Sequence, residues 1–322
     1  MSKKIRAVIV GAAGYTGGEI LRLLIGHPNV SAIVPVSSSS AGKLVTNVHS
    51  DLIGDVELSF VSQPEGNEDV IFLCLPHGES SEWLKKNSVT SNQLLIDLGQ
   101  DFRLNRDKFI YGLAELNKEK ISSAKRVANP GCFATLVQLM LVPFAENGLL
   151  ADTIEVAATT GSTGAGQTPT SQTHFSWRAG NHSAYKTLTH QHLAEITATL
   201  AEIQPGWNGT INMIPLRGSF TRGIHAVVHF PCDLLTEEIV LLLKQYWNNH
   251  PFVHVTGSEP SVKQVVNTNK CFIHAEKVND RVVITGVIDN LLKGASGQAV
   301  QNMNIALGLP ETTGLKLKPL AY

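Results

Sequence analysis

Near its start, the chain passes from a short apolar run, Ile5–Val10, directly into a glycine-rich turn with the spacing G-x-x-G-x-x-G. A helical pattern follows at Gly17–Gly26. A buried strand, a glycine turn and a helix in this order are typical of dinucleotide-binding folds, because glycines let backbone N–H groups approach a pyrophosphate at the helix N-terminus. We expect cofactor contacts from Gly11, Ala13, Gly14, Tyr15, Thr16 and Gly17.

Three more apolar runs follow in the first third of the chain, at Ser31–Val36, Asp69–Leu75 and Leu94–Leu98. Such runs, bounded by turn residues, suit parallel strands that are covered on both faces. The sequence therefore predicts an α/β domain with a Rossmann-type, doubly wound parallel sheet.

Composition changes after Pro130. Runs rich in β-branched residues, Ile154–Thr160, Gly223–Phe230 and Arg281–Ile288, are separated by polar turns and predict a second, α+β domain with a largely antiparallel sheet. A length of 322 residues also favours two domains. We expect residues 1–131, completed by 295–322, to bind the dinucleotide, and residues 132–294 to serve catalysis, substrate binding and oligomerisation.

Composition argues against several classes of protein. The net charge is −1, without a block of like charges, so a nucleic-acid partner is not expected. No apolar stretch reaches the roughly 20 residues that cross a bilayer, so no membrane association is expected either. The glycine turn stands where a signal peptide would continue, which favours a cytoplasmic protein. The four cysteines are widely spaced, so neither a disulfide framework nor a metal site is indicated.

The end of the second strand bears on the choice of dinucleotide. An NAD site usually has an acidic residue about 20 residues beyond the glycines, whereas this region reads Val36 followed by Ser37–Ser40. Hydroxyls tolerate a 2′-phosphate that a carboxylate would repel, so NADP is expected, with Ser37 and Ser38 as contacts. Lys43 can add charge, and Ser39 and Ser40 are equally consistent with a plain loop.

The segment from Asn129 to Val137, NPGCFATLV, predicts a helix start with a cysteine in its first turn. Asn129 suits the N-cap and Pro130 the first helical position. Free N–H groups and the helix dipole lower the pKa of a thiol there, which makes Cys132 a candidate nucleophile. The other cysteines, Cys74, Cys232 and Cys271, are interpreted as buried apolar side chains.

Seven motifs occur here in the same order as in the N-acetyl-γ-glutamyl-phosphate reductase family of arginine biosynthesis, which the chain resembles from about residue 5 to residue 310. NPGCFAT and KGASGQAVQNMN are the specific ones; the others are GAAGYTGGE, DFRL, GSTGAG, the His-x-His before Glu195-Ile196, and TRGI. The resemblance implies that Cys132 attacks an N-acyl-glutamyl phosphate and expels phosphate. NADPH would then reduce the thioester to the semialdehyde.

This chemistry needs an acid or base near the thiol, and His190 and His192 are the candidates. At i and i+2 they share a face only in an extended backbone, so we expect one of them to be catalytic. We favour His190, with His192 as the alternative. A metal pair is the other interpretation, but no third ligand is evident.

Further site residues follow from the motifs together with the resemblance. Arg103 and Arg222 are candidates for holding anionic groups of the substrate. The resemblance favours an oxyanion or phosphate site at GSTGAG over a plain turn. It also implies that Asn290 and the segment Gly294–Gln298 close the site over the nicotinamide. The expected contacts are Ser162, Thr163 and Gly164 to the substrate, and Asn290, Gly294 and Gly297 to the cofactor. Gly297 is equally consistent with a helix-start glycine.

The family commonly has arginine between the two histidines, where this chain has Gln191. The identity of the N-acyl group is therefore open. N-succinylglutamyl, aminoadipyl and aspartyl phosphates are alternative substrates, and a non-catalytic NADPH-binding regulator is a further possibility. The second domain is expected to support a homo-oligomer, a dimer or a tetramer.

Overall fold

The glycine turn joins the first strand to the first helix. In the computed structural model, which describes residues 4–105 and 108–320, strand β1 spans Ile5–Val10 and helix α1 spans Tyr15–Ile25. Gly11 adopts a φ of +84°, and a side chain there would overlap the carbonyl group of Cys74. A Cβ on Gly17 would lie 2.6 Å from the Cα of Ala12. Both positions therefore need glycine, one for its backbone conformation and one for close packing of the helix on the turn.

The six strands of the first unit form a parallel sheet in the order β2-β1-β3-β4-β6-β5. This arrangement confirms the predicted Rossmann-type sheet. Its further elements are β2 (Val30–Val36), β3 (Val70–Leu73), α2 (Glu79–Lys86), β4 (Leu94–Asp97), β5 (Ile110–Tyr111), α3 (Ala114–Ser122) and β6 (Arg126–Ala128).

The second unit is built on a seven-stranded mixed sheet. Its elements are α4 (Cys132–Glu146), β7 (Thr153–Thr160), α5 (Phe175–Arg178), β8 (Ser183–Ala184), α6 (His192–Ile203), β9 (Thr210–Arg217), β10 (Ile224–Pro231), α7 (Thr236–Trp247), β11 (Val253–Val255), β12 (Cys271–Val278) and β13 (Arg281–Ile288). The strand order is β11-β12-β13-β10-β7-β9-β8. The pairs β7–β9 and β11–β12 are parallel and the others antiparallel, which agrees with the predicted largely antiparallel sheet.

Helix α4 lies in the core of the second unit. Phe133–Ala145 is buried throughout, so this mostly apolar helix is covered on all sides. It packs closely on β13, where a Cβ on Gly286 would lie 2.8 Å from Sδ of Met140. Strands β7 and β10 alternate between buried and more exposed residues, so one face of the sheet is covered and the other is open. Because α4 is buried along most of its length, the position of its first residue, Cys132, is fixed.

Helix α8 (Gly297–Ala306) belongs to the first unit and follows a π-helical turn at Leu292–Ser296. Its buried amide side chains donate to loops of the same unit. Asn302 donates to the Gly112 carbonyl at 2.8 Å and to Oδ1 of Asn129 at 3.1 Å. Asn129 in turn donates to the Ala295 carbonyl at 3.0 Å. The polar part of the KGASGQAVQNMN motif therefore holds the first unit together.

Two boundaries differ from the predicted domains. The described residues divide into 4–130 with 295–316, and 131–294 with 317–320. Gly131 groups with the second unit because its N–H donates to the carboxylate of Glu195 at 3.0 Å. Residues 317–320 do so as well, and Asn267 donates to the Lys318 carbonyl at 3.3 Å. Residues 321 and 322 lie outside the described part of the chain.

Among the helices of the described residues, none combines the length and the hydropathy needed to cross a bilayer.

Candidate active site

Cys132 is the first residue of helix α4 and its side chain is half-buried. The first intrahelical bond runs from the Thr135 N–H to the Gly131 carbonyl at 2.8 Å, so the N–H groups of residues 132–134 have no partner within the helix. The thiol therefore lies at the positive end of the helix dipole, as predicted. The other cysteines are buried, and burial raises the pKa of Cys74 to about 12.

The predicted cap of this helix is wrong by two residues. Gly131 is the N-cap, with φ of −72° and ψ of 151°, and Asn129 and Pro130 precede the helix. The side chain of Asn129 is bonded to Ala295 and Asn302 instead, so a long-range contact replaces the local cap.

The two histidines converge on the start of α4. Their ring centroids are 4.6 Å apart with a tilt of 78°, and both rings meet Phe133 edge-on, at 5.2 Å for His190 and 6.1 Å for His192. They share a face because His192 is the first residue of α6 while His190 precedes the helix. The i, i+2 spacing thus brings both rings together where a continuous helix would separate them.

The ring of His192 packs directly on Gly131. A Cβ on Gly131 would lie 2.6 Å from Cδ2 of this ring, so only glycine leaves room for it. Glu195, one turn further along α6, is buried and accepts the Gly131 N–H. Two residues of α6, His192 and Glu195, therefore fix the position of Gly131.

His190 is buried and fixed in orientation. Its Nδ1 accepts the His192 backbone N–H at 3.2 Å, so the proton of the neutral ring is on Nε2. Burial, followed by the charges of Lys186 and Arg217, lowers the pKa of His190 to about 4. The ring is thus neutral around pH 7 and presents an N–H donor.

This pKa predicts a specific pH dependence of stability. Between pH 6.5, the ordinary value, and about 4, the unfolded chain protonates residue 190 while the folded protein does not. The free energy of unfolding should therefore fall as the pH drops through this window. We expect the fall to be smaller in His190→Gln, as measured by urea unfolding at several pH values. Parallel curves for the variant and the wild type would contradict this assignment.

The turn predicted to bind an oxyanion uses its backbone donors internally. It follows β7, and the N–H groups of Ser162 and Thr163 donate to the carbonyls of Phe220 and Thr221 at 2.9 and 3.1 Å. The Gly164 N–H bonds to Gly161 at 3.3 Å. The prediction that the backbone of this turn holds an anion is therefore corrected, because tertiary bonds occupy these groups. The half-buried hydroxyl of Ser162 remains a candidate.

Arg222 is paired within the second unit. Its guanidinium contacts Oδ2 of the fully buried Asp289 at 3.0 and 3.1 Å. Both ends of the Asn290 side-chain amide are also bonded, to the Gly223 N–H at 2.7 Å and to Oγ1 of Thr163 at 3.0 Å. These contacts brace the loop beside β13, and the substrate and cofactor contacts expected of the two residues stay predictions.

Gly294 lies against the candidate nucleophile. A Cβ at this position would be 2.7 Å from Cβ of Cys132, so the residue must be small. Its N–H bonds to the Asp289 carbonyl at 2.9 Å, which is the i to i−5 pattern of the π-helical turn. Gly297 is the first, buried residue of α8, as expected of a helix-start glycine.

Arg103 has a structural role that the sequence does not reveal. It is 4% exposed and donates to the carbonyls of Asn129 at 3.0 Å and Leu98 at 2.9 Å, all within the first unit. The prediction that it holds the substrate is therefore replaced by one in which it fixes the loop after β4.

The glycine turn offers the donors of a dinucleotide site. The N–H groups of Tyr15, Thr16 and Gly17, in the first turn of α1, have no partner within the helix. The carbonyl of Ala12 is held by Nε2 of His49 at 2.8 Å. At the end of β2, Ser37 is buried and Ser38 is exposed.

Two site residues were missed by sequence reasoning, Tyr185 and Arg217. The guanidinium carbon of Arg217 is 4.4 Å from the centroid of the Tyr185 ring, and this ring is 5.8 Å from that of His190. Between the two rings, Lys186 and Leu188 adopt left-handed φ values of 47° and 59°, which fold the segment back. Burial and then the charge of Cys132 raise the pKa of Tyr185 to about 12. No local sequence motif indicates these residues, because it is the pairing of β8 with β9 that brings them together.

Within the described residues, no group of three or more His, Cys, Asp or Glu side chains could hold a metal ion.

Two family models match the chain. The semialdehyde dehydrogenase NAD binding domain matches residues 6–124, and the semialdehyde dehydrogenase dimerisation domain matches residues 132–290. Solved structures with the same fold include aspartate semialdehyde dehydrogenase II from Vibrio cholerae, complexed with ASA, at a TM-score of 0.75 and 16% identity over 95% of this chain and 99% of that one. The Candida albicans aspartate semialdehyde dehydrogenase with NADP matches with a TM-score of 0.70 and 15% identity, again over 95% of this chain and 99% of that one.

Relatives in sequence extend over the whole chain. An N-acetyl-gamma-glutamyl-phosphate reductase from Flavobacterium johnsoniae is 48% identical over 99% of this chain and 100% of the relative. One from Parabacteroides distasonis is 47% identical over the same shares. The chain therefore belongs to the N-acetyl-gamma-glutamyl-phosphate reductase family of the semialdehyde dehydrogenases.

Proposed function

We propose that the protein reduces an N-acyl-glutamyl 5-phosphate, with N-acetyl as the first candidate, to the N-acyl-glutamate 5-semialdehyde and phosphate with NADPH, a step of arginine biosynthesis. The observation that carries the proposal is the half-buried thiol of Cys132 at the first position of α4, with both imidazoles packed at this helix start. The relatives that are 47% and 48% identical to this chain are named N-acetyl-gamma-glutamyl-phosphate reductases, and these names support N-acetylglutamyl phosphate as the substrate.

Cys132 acts as the nucleophile. Its thiolate attacks the acyl carbon, a C–S bond forms, and the C–O bond to phosphate breaks, so that phosphate leaves with the bonding electron pair. NADPH, when bound, supplies the hydride that reduces the thioester carbonyl. Hydride addition leaves a hemithioacetal oxyanion; its C=O bond re-forms as the C–S bond breaks, which releases the aldehyde and regenerates the thiolate.

His190 is assigned the proton-transfer role. The neutral ring presents its Nε2–H, which can donate to the acyl oxygen as negative charge develops on it. His192 is assigned the positioning of Gly131, since its ring packs on that residue. Comparing the kcat of His190→Gln with that of His192→Gln separates this assignment from the reverse one.

The glycine turn fits a dinucleotide, and the end of β2 fits NADP. The N–H groups in the first turn of α1, which have no partner within the helix, suit a pyrophosphate, with Gly11, Ala13 and Gly14 in the turn before them. Neither Ser37 nor Ser38 carries a charge that would repel a 2′-phosphate, and the exposed Ser38 hydroxyl is able to donate to it. We assign NADP to this site on these grounds.

The active form is proposed to be a homo-oligomer, a dimer or a tetramer, assembled through the second unit. One family model is described as a dimerisation domain, and the open face of the sheet bears apolar residues such as Ala157, Ile214 and Val227.

We place the enzyme in the cytoplasm, because a reducing compartment keeps a nucleophilic thiol free.

The reverse reaction tests the function. N-acetylglutamate 5-semialdehyde, phosphate and NADP⁺ should yield NADPH only when all three are present, with NAD⁺ at least about tenfold less effective in kcat/KM, roughly 1.4 kcal/mol. Reduction without phosphate would contradict the acyl-phosphate chemistry. NADPH binding without turnover would identify a regulator. The semialdehydes of N-succinylglutamate, aminoadipate and aspartate, run in parallel, determine the acyl group.

A further inference from the structure

Arg217 is the last residue of β9 and lies beside the segment that leads to His190. Its backbone pairs with Ser183 of β8, so its side chain meets Tyr185 just beyond that strand. The guanidinium carbon lies over the phenol ring, 4.4 Å from its centroid, which is within the range of cation–π attraction. The ring therefore covers one side of the guanidinium and restricts its position.

The charge of Arg217 is not neutralised by a neighbour. Among residues 4–105 and 108–320, no carboxylate lies within ion-pair distance of it, and its buried Nε has no hydrogen-bond acceptor. Arg222, in the same unit, differs in this respect because Asp289 balances its charge. A half-buried cation with an unused donor is costly unless an anion or water satisfies it.

The same cation belongs to the cluster around the nucleophile. Tyr185 lies 5.8 Å from the ring of His190, and His190 lies 5.2 Å from Phe133, the residue after Cys132. The charge of Arg217 acts on His190, and that of Cys132 acts on Tyr185. An anionic substrate attached to Cys132 would thus lie in the field of Arg217.

We propose that Arg217 holds an anionic group of the acyl substrate, with Tyr185 as the platform that orients its guanidinium. The inference rests on the proposed acyl-phosphate reduction. The recognised chemistry is a carboxylate or phosphate oxyanion, which the guanidinium edge binds through two parallel hydrogen bonds. In the substrate this group is either the carboxylate of the glutamyl part or the phosphate that leaves.

The reverse reaction separates these two sources, because semialdehyde and phosphate are then distinct substrates. We expect Arg217→Gln to raise the KM of one of them at least tenfold while kcat changes less than threefold. A rise in the KM of the semialdehyde identifies the carboxylate, and a rise in that of phosphate identifies the leaving group. Arg217→Lys should recover part of the loss, and Tyr185→Leu should raise the same KM by a smaller factor.

Arg281→Gln is the matched control, since Arg281 is also a half-buried arginine of this sheet but bonds to His229 at 2.9 Å. It should leave both KM values unchanged. Unchanged KM values in Arg217→Gln, or a fall in kcat alone, would overturn the inference. If Arg217→Gln does not fold, the KM values of Arg217→Lys decide in the same way. Failure of the proposed function itself would be seen separately, as absence of phosphate-dependent turnover in the wild type.

Discussion

Replacing Cys132 by serine should lower kcat by at least about a thousandfold while leaving the Kd of NADPH unchanged. Serine has nearly the same size, so helix α4 should begin where it does now. Its hydroxyl stays protonated near neutral pH, however, and oxygen does not form the thioester on which the reduction depends. Turnover is measured in both directions, and NADPH binding by fluorescence titration.

The control for this variant is Cys232→Ser, because Cys232 is a buried cysteine of the same unit. That change is expected to affect stability more than kcat. Labelling with iodoacetamide near neutral pH should modify Cys132 first, since a buried thiol reacts slowly. Full activity in Cys132→Ser would eliminate the thioester mechanism.

The substitution Gly131→Ala should lower kcat about a hundredfold without unfolding the protein. The backbone of Gly131 has a φ of −72°, which alanine adopts without strain. Its Cβ, however, would lie 2.6 Å from Cδ2 of His192, so either the imidazole or the start of α4 must shift. A displacement of about 1 Å in a catalytic group is enough for a loss of this size.

Gly257→Ala is the matched control, because a Cβ at that position has no atom within 4 Å. It should retain wild-type kcat and KM. The melting temperatures of both variants separate a local shift from general destabilisation. A kcat within about threefold of wild type in Gly131→Ala would show that the packing of His192 on Gly131 is irrelevant to catalysis.

Much of the fold could be predicted because its signals are local. The glycine turn after Ile5–Val10 needs no distant residue to be recognised, and the parallel sheet follows from apolar runs at regular distances. The helix start at Cys132 was equally visible from the sequence. Only its cap was misplaced, since Asn129 looks like a cap until its amide is seen bonded to residues 295 and 302.

The site was predicted less completely, because partners far apart in sequence decide which polar groups are available. Ser162 and Thr163 look like free donors until the segment at Phe220 and Thr221 occupies their N–H groups. Arg217 gave no signal, since its position depends on the pairing of β8 with β9. Arg103 was misread for the same reason, as its burial depends on the loop at Asn129.

The discontinuity of the first unit has a consequence for synthesis on the ribosome. Residues 4–130 cannot complete their polar interior until α8 arrives, because Gly112 and Asn129 are bonded to Asn302, more than 170 residues later. The second unit is translated in between and can fold first as a continuous segment. Nascent chains that stop before residue 297 should therefore carry a loosely packed nucleotide-binding half, which proteases would digest before the other half.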